Sequence, residues 1–300
     1  MKCWRSVISL AMVLVLMMSV FSGSVPWTAS AASIEIALDK EELLLKYGKS
    51  ATLKATVSGV ENAEVKWLSD NPEIATVDSS GKVKGVKPGV TTVYATVNGV
   101  NAECRVIVMF KDVTSTSAYY FRPVYWAVDN GITTGYTGAK KGYFGPDDYC
   151  TRAQIVTFLY RMLYRGEDLS SVESFADVPD DAYYADAVKW AIVRKLTTGY
   201  TDSHGNPTGE FGPDDICTRG QIMTFIWRYA KPEAPDPNHL PSYSDVKETD
   251  YFYWPVIVAT QFGVCTGYTD KNGKPTGIFG PNDSCTRGQA VTFLARCVDS

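Results

Sequence analysis

The chain has 300 residues, 45% apolar and 21% charged, enough for two or three small domains with cores of their own and unlike a disordered polymer. The net charge is −4, and no Lys/Arg cluster follows the first few residues. That balance speaks against nucleic acid and against an anionic lipid surface as partners.

The first segment reads as an export signal. Lys2 and Arg5 are followed by an uncharged apolar run, Val7 to Val20, then by Pro26 and the small-residue site Ala29-Ser30-Ala31. Residues 1–31 are therefore expected to be a cleaved signal peptide, with a mature chain starting near Ala32. The apolar run is too short for a confident membrane anchor, so no membrane contact is expected after cleavage.

Residues 32–109 read as all-β. Polar and apolar residues alternate in Ala51-Thr52-Leu53-Lys54-Ala55-Thr56-Val57 and in Thr92-Val93-Tyr94-Ala95-Thr96-Val97. Turn signals separate the runs: Tyr47-Gly48-Lys49, Ser80-Gly81-Lys82, Lys87-Pro88-Gly89 and Asn98-Gly99. Short strands at this spacing predict a small sandwich with Trp67 in its core. Cys104 is the only cysteine of the segment, so no disulfide can form inside it.

From Phe110 the chain repeats itself every 65 to 68 residues, giving copies at 110–166, 174–231 and 242–300. Each copy opens on an aromatic-x-Asp-Val (from Phe110, Phe175 and Tyr243) and continues with an aromatic pair (Tyr119-Tyr120, Tyr183-Tyr184, Tyr251-Phe252). Thr-Gly-Tyr follows at 134–136, 198–200 and 266–268, Phe-Gly-Pro at 144–146, 211–213 and 279–281, and Cys-Thr-Arg at 150–152, 217–219 and 285–287. Thr151, Thr218 and Thr286, each with a Gln three residues on, predict capping boxes. Apolar residues at helical spacing then follow: Ile155, Phe158, Leu159, Met162 and Leu163 in copy one, Ile222, Phe225, Ile226 and Tyr229 in copy two, Ala290, Phe293, Leu294 and Cys297 in copy three. A first helix is expected over about 119–130, closed by Gly131, and its counterpart over about 182–195. Each copy is thus helix, glycine-rich loop, helix. One hairpin cannot bury its apolar faces, so the three must fold together.

Arg152, Arg219 and Arg287 fall at the first helical position. Free N–H groups and the positive dipole end favour an anion there, and a guanidinium adds a fork suited to a carboxylate. Two readings are open: a carboxylate ligand, or an ion pair within the chain to Asp112, Asp177 or Asp245. Tyr136, Tyr200 and Tyr268, after the loop glycines, and Trp126 and Trp190, at matching positions, could face sugar rings. For the tryptophans, core packing is the equal alternative.

Two resemblances sharpen these readings. Trp67-Leu68-Ser69-Asp70-Asn71-Pro72, Ile74-Ala75-Thr76-Val77-Asp78 and Gly81-Lys82-Val83-Lys84-Gly85-Val86-Lys87-Pro88-Gly89 resemble the bacterial Ig-like group 2 domain, which implies a β-sandwich serving as spacer or adhesive module on bacterial surfaces. The Phe-x-Asp-Val start, the Trp-Ala of copies one and two, the Gly-Tyr, the Phe-x-Pro and the Thr-Arg-Ala/Gly-Gln resemble the S-layer homology (SLH) family. That resemblance implies a mainly α-helical pseudo-threefold assembly, so the fold class is multidomain α and β. It further implies noncovalent binding of secondary cell-wall polysaccharide, often pyruvylated, in grooves between repeats, and favours the ligand reading of the arginines. Copy three departs by placing Val258 where the tryptophan stands, which puts its groove in doubt. Gln154, Gln221 and Gln289 replace the family's Glu, and Cys150, Cys217 and Cys285 replace an apolar residue.

The cysteines read as small buried hydrophobes, with Cys265–Cys285 as the disulfide to check, and no zinc spacing. No catalytic motif, metal site or cofactor site is found, and loops such as 201–206 lack EF-hand spacing. A secreted, non-enzymatic protein of the bacterial cell wall or surface is expected. The alternative is a secreted adhesin or extracellular matrix protein whose Ig-like domain binds a host or neighbouring-cell ligand, and a surface-layer or host ligand is a further candidate partner.

Overall fold

A computed structural model describes residues 33–232 and 235–299. The expected signal peptide lies outside the described residues. The described chain divides into two compact units, one of residues 33–114 with 134–144, the other of residues 115–133 with 145–299.

The first unit holds nine strands: β1 (Glu35–Leu38), β2 (Glu42–Lys46), β3 (Ser50–Thr52), β4 (Ala55–Ser58), β5 (Lys66–Ser69), β6 (Ala75–Val77), β7 (Lys82–Gly85), β8 (Gly89–Val97) and β9 (Val100–Met109). A four-stranded sheet runs β2-β9-β8-β5, a three-stranded sheet β3-β7-β6, and β1 pairs with β4. β8 buries every second residue, as its alternation requires. Leu43, Leu45, Val93, Val106 and Val108 of the larger sheet and Leu53, Ala75 and Val83 of the smaller side share one core, with Trp67 packed against it. The run read as a single strand over 51–57 is two. β3 pairs with β7 and β4 with β1, so the chain changes sheets at Leu53-Lys54. Leu53, 1% exposed, plugs the core at the corner. The copy-one loop 134–144 folds within this unit, where the Phe144 amide donates to Asp112 Oδ1 at 2.9 Å and the Phe110 and Phe144 rings lie 5.8 Å apart.

The second unit holds six helices: α1 (Phe121–Asp129) and α2 (Arg152–Leu163) from copy one, α3 (Ala185–Val193) and α4 (Arg219–Ala230) from copy two, α5 (Tyr253–Gln261) and α6 (Arg287–Asp299) from copy three. Each first helix ends by reversing through a residue at positive φ, Gly131, Lys195 or Gly263. The next amide closes the turn on a carbonyl five residues back: Ile132 on Ala127, Leu196 on Ala191 and Val264 on Ala259, each at 2.8 Å.

The hairpin expectation needs correcting. The extensive helix packing is between copies: α2 against α3, α4 against α5 and α6 against α1. Backbone bonds close the same circuit. The Cys150 amide donates to the Cys285 carbonyl, Cys217 to Cys150 and Cys285 to Cys217, each at 2.9 Å. The three thiol side chains are fully buried. No disulfide links any of the six cysteines among the described residues, and Cys265 and Cys285 are not paired with each other.

Candidate ligand groove

The site starts from the caps. Thr151 and Thr218 are extended, and the hydroxyls of Thr151, Thr218 and Thr286 accept the amides of Gln154, Gln221 and Gln289 at 3.2–3.3 Å. The box closes in copies two and three, where Gln221 and Gln289 accept the cap amides in return. In copy one Gln154 Oε1 instead accepts Arg287 Nη1 at 3.0 Å.

The next two amides of each helix are not free for an anion. Arg152 and Ala153 donate to the carbonyls of Asp215 and Pro213, Arg219 and Gly220 to Asp283 and Pro281, Arg287 and Gly288 to Asp148 and Pro146. The helix start of one copy is thus plugged into the loop of another. The expected anion seat on free helix N–H groups is overturned, because those donors are consumed in joining the copies.

What is left for a ligand is the guanidinium. Arg152 is 5% exposed. Its Nε donates to the Phe211 carbonyl at 2.9 Å, and its guanidinium carbon lies 4.5 Å from the Tyr200 ring centroid and 4.8 Å from that of Phe211. Cation–π contacts hold the charge in this desolvated place. The ion-pair alternative does not hold here. Among the described residues no carboxylate is paired with Arg152 or Arg219. Asp177 and Asp245 are spent on the Phe-Gly turn, Asp177 accepting the amides of Phe211 and Gly212 at 2.8 and 2.7 Å and Asp245 those of Phe279 and Gly280 at 2.9 and 2.7 Å.

A cavity of about 430 Å³ opens at Arg152. Copy one supplies Arg152; copy two supplies the loop 197–201 and, from α4, Gln221, Thr224, Phe225 and Arg228; copy three supplies Tyr251. The Tyr200 hydroxyl donates to Asp215 Oδ2 at 2.9 Å, which fixes the ring beneath the guanidinium. Burial pushes the phenols of Tyr200 and Tyr251 above their ordinary pKa, so both stay neutral donors at physiological pH. The wall is aromatic, hydroxyl-bearing and basic, without an acid in the lining.

The other arginines are similar in position and different in partners. Arg219 stacks on Tyr268 (4.8 Å) and Phe279 (4.6 Å), with Nε bonded to the Phe279 carbonyl and Nη2 to that of Thr266. Arg287 lies 5.5 Å from the Phe158 ring and gives Nη1 to Gln154. Tyr268 donates to Asp283 Oδ2 at 2.8 Å, as Tyr200 does to Asp215. Tyr136 sits in the β unit's loop, with the Lys140 ammonium 4.9 Å from its ring centroid.

Neither predicted tryptophan lines the Arg152 cavity. Trp126 is half-buried. Trp190 is fully buried between Tyr160 and Tyr229, with its indole N–H on Glu167 Oε1 at 3.2 Å. The sugar-wall expectation for Trp190 is therefore corrected: no face of its ring reaches solvent. Sequence reasoning missed Tyr251, Thr224 and Arg228. Two signals were present. The aromatic pair recurs in every copy, and an arginine stands nine residues after each capping arginine, at 161, 228 and 296.

Among the described residues no His/Cys/Asp/Glu cluster could hold a metal ion, and no helix is long and apolar enough to cross a membrane. Asp202 closes its own loop, accepting the amides of His204 and Asn206 at 2.8 and 2.9 Å.

Comparison with known families gives two matches. Residues 33–108 match the bacterial Ig-like domain (group 2). Residues 110–156, 174–223 and 242–291 each match the S-layer homology domain. A cellulosome-anchoring protein of Acetivibrio thermocellus is 25% identical over 55% of this chain and 35% of its own length. A surface layer protein of Brevibacillus choshinensis is 32% identical over 37% of this chain and 10% of its own. The chain therefore spans about a third or less of these relatives. Among solved structures, domains 4 and 5 of an S-layer protein are 28% identical, covering 25% of this chain and 52% of that one, with a TM-score of 0.24.

Proposed function

Because the chain carries a bacterial Ig-like (group 2) domain followed by three S-layer homology domains, which makes it a protein of the bacterial cell wall or surface, we propose that it anchors itself there noncovalently by holding an acidic wall polysaccharide in the grooves between its repeats. In this reading residues 32–109 form the Ig-like spacer or adhesive module, and the repeats at 110–166, 174–231 and 242–300 make a pseudo-threefold anchor. The helix pairing across copies and the circuit of backbone bonds through Cys150, Cys217 and Cys285 support that symmetry. The polymer is a secondary cell-wall polysaccharide, and pyruvyl groups supply its carboxylates. The role is mechanical, without catalysis, a reading supported by similarity to proteins named for cellulosome anchoring and for a surface layer.

One observation carries the proposal. Arg152, with no carboxylate partner among the described residues, lines a cavity whose wall carries aromatic and hydroxyl side chains. Uncompensated buried charge is costly, and an anionic sugar offsets it while its C–H faces pack on tyrosine rings.

The test is a pulldown of the mature chain, residues 32–300, on purified cell wall. Wild type is expected to sediment with untreated wall and to stay in solution after pyruvyl groups are removed. Arg152→Gln, Arg219→Gln and Arg287→Gln together should abolish sedimentation while circular dichroism shows the helices retained. Sedimentation of the folded triple variant at wild-type level would overturn the site.

A further inference from the structure

The three capping arginines differ in what remains of their donors. Among the described residues Arg219 spends Nε and Nη2 on two carbonyls, and Arg287 gives Nη1 to Gln154. Among the described residues Arg152 has one hydrogen-bond acceptor, the Phe211 carbonyl on Nε, and its side chain lines the cavity. That cavity holds a second cation. Arg228, half-buried on α4, gives Nη1 to the Leu196 carbonyl at 2.9 Å and pairs with no carboxylate among the described residues. Burial is the main cause lowering its pKa; Tyr251 works against that, and the Arg152 charge adds a smaller lowering, so the two guanidiniums feel each other. Thr224 and Tyr251 line the same cavity, the Thr224 hydroxyl donating to the Gly220 carbonyl at 2.8 Å.

We infer that Arg228 is a second anion-binding residue of the Arg152 cavity, and that this cavity is the primary of the three grooves, taking the acid group of a saccharide between two guanidinium forks. The inference rests on the wall-binding reading above. Two like charges facing one partly desolvated space repel each other, and a single anion between them relieves both. Guanidinium forks make bidentate bonds to a carboxylate, so two of them also fix the sugar's orientation. Arg219 has already satisfied two of its nitrogens inside the protein, so its groove has less to offer.

Arg161 supplies the control. It stands at the same position in copy one and gives Nη1 to the Ile132 carbonyl at 3.2 Å, the counterpart of the Arg228–Leu196 bond. If Arg228 served only as that tie, Arg228→Gln and Arg161→Gln would act alike. Affinity of the mature chain for purified, solubilised wall polysaccharide is measured by calorimetry, with melting temperature alongside. Arg228→Gln is expected to weaken binding about tenfold to a hundredfold, the range of one charge-assisted bond, and Arg161→Gln less than twofold at a similar melting temperature. Arg152→Gln should lose more affinity than Arg219→Gln. Carboxyl reduction of the polymer should remove the difference between wild type and Arg228→Gln.

A folded Arg228→Gln with the affinity of Arg161→Gln overturns the inference and leaves wall binding standing. Failure of wild type to bind overturns both. Should Arg228→Gln not fold, Arg228→Lys is read instead, since lysine keeps a donor for the Leu196 carbonyl and loses the fork. It should bind at least about threefold more weakly than wild type, and unchanged affinity overturns the inference.

Discussion

Trp126 and Trp190 stand at the same step of copies one and two, four residues before the helix cap, and their surroundings differ. Trp126 is half-buried; Trp190 has no exposure at all. Tyr229 of its own copy covers part of Trp190, and the rest of the seal comes from outside that copy. The segment between copies one and two brings Glu167 onto the indole N–H, where the carboxylate also meets Arg194 Nε at 3.4 Å and the Arg165 amide at 2.9 Å. Tyr160 of α2 packs its edge on the same ring. A repeat dictates where a side chain starts; the neighbouring copy and the connecting segment decide whether it ends in the core or at the surface. The unequal partners of Arg152 and Arg219 are a second case of the same rule.

The largest expected effect tests that contrast directly. Trp190→Ala removes a fully buried indole and one partner of Glu167, so it should destabilise the helical unit by about 3–5 kcal/mol. Trp126→Ala should cost less, about 1–2 kcal/mol, since part of its surface is already in water. Urea unfolding followed by far-UV circular dichroism reads both. Equal losses would show that the burial difference has no energetic content. Neither variant should alter affinity at the Arg152 cavity if it remains folded.

Much of this architecture was legible in the sequence, because its determinants are local. The alternation in Thr92–Val97, the threonine caps with their glutamines, the apolar stripes and the Gly131 turn are each written within a few residues, and the structure contains them. What failed is non-local. The alternation over 51–57 hides a change of sheet at Leu53, because the polar-apolar pattern does not say which sheet a strand joins. The helix-start amides looked free, since nothing in Thr-Arg-Ala-Gln reveals that Asp215 and Pro213 of the next copy will take them. Tyr251 was visible only as a repeat marker. Its place beside Arg152 needs copies one and three brought together around copy two.

A smaller effect probes how tightly the copies are plugged together. Copy one has Ala153 where copies two and three have glycine, yet all three amides make the same bond to a proline carbonyl, at 2.8–3.0 Å. A methyl added at Gly220 would lie 3.0 Å from the Pro281 carbonyl oxygen and 3.1 Å from the Phe252 ring. At Gly288 it would lie 2.8 Å from the Pro146 oxygen. Gly220→Ala should therefore cost about 1–3 kcal/mol, against less than about 1 kcal/mol for Ala153→Gly, where copy one already accommodates the methyl. Thermal unfolding of the two variants orders them, and the reverse order would mean that the seats differ in some way other than the space around this atom.

The smallest expected effect is one where the copies should agree. Burial pushes Cys285 up to about 12 and raises Cys150 and Cys217 well above the ordinary thiol range. Cys265 and, in the β unit, Cys104 are each raised to about 11 by the same cause. A thiol at about 11 is roughly one part in a thousand thiolate at pH 8, and the thiolate is the reactive form. Native protein should thus resist iodoacetamide for hours, and denaturant should open all sites together. Cys150, Cys217 and Cys285 are tied to one another by the same backbone bond in each copy, so the three sites should respond alike. Mass spectrometry that finds one of the three labelled ahead of the others would show that the circuit opens at one copy, and that even the centre of the repeat array is set by its surroundings.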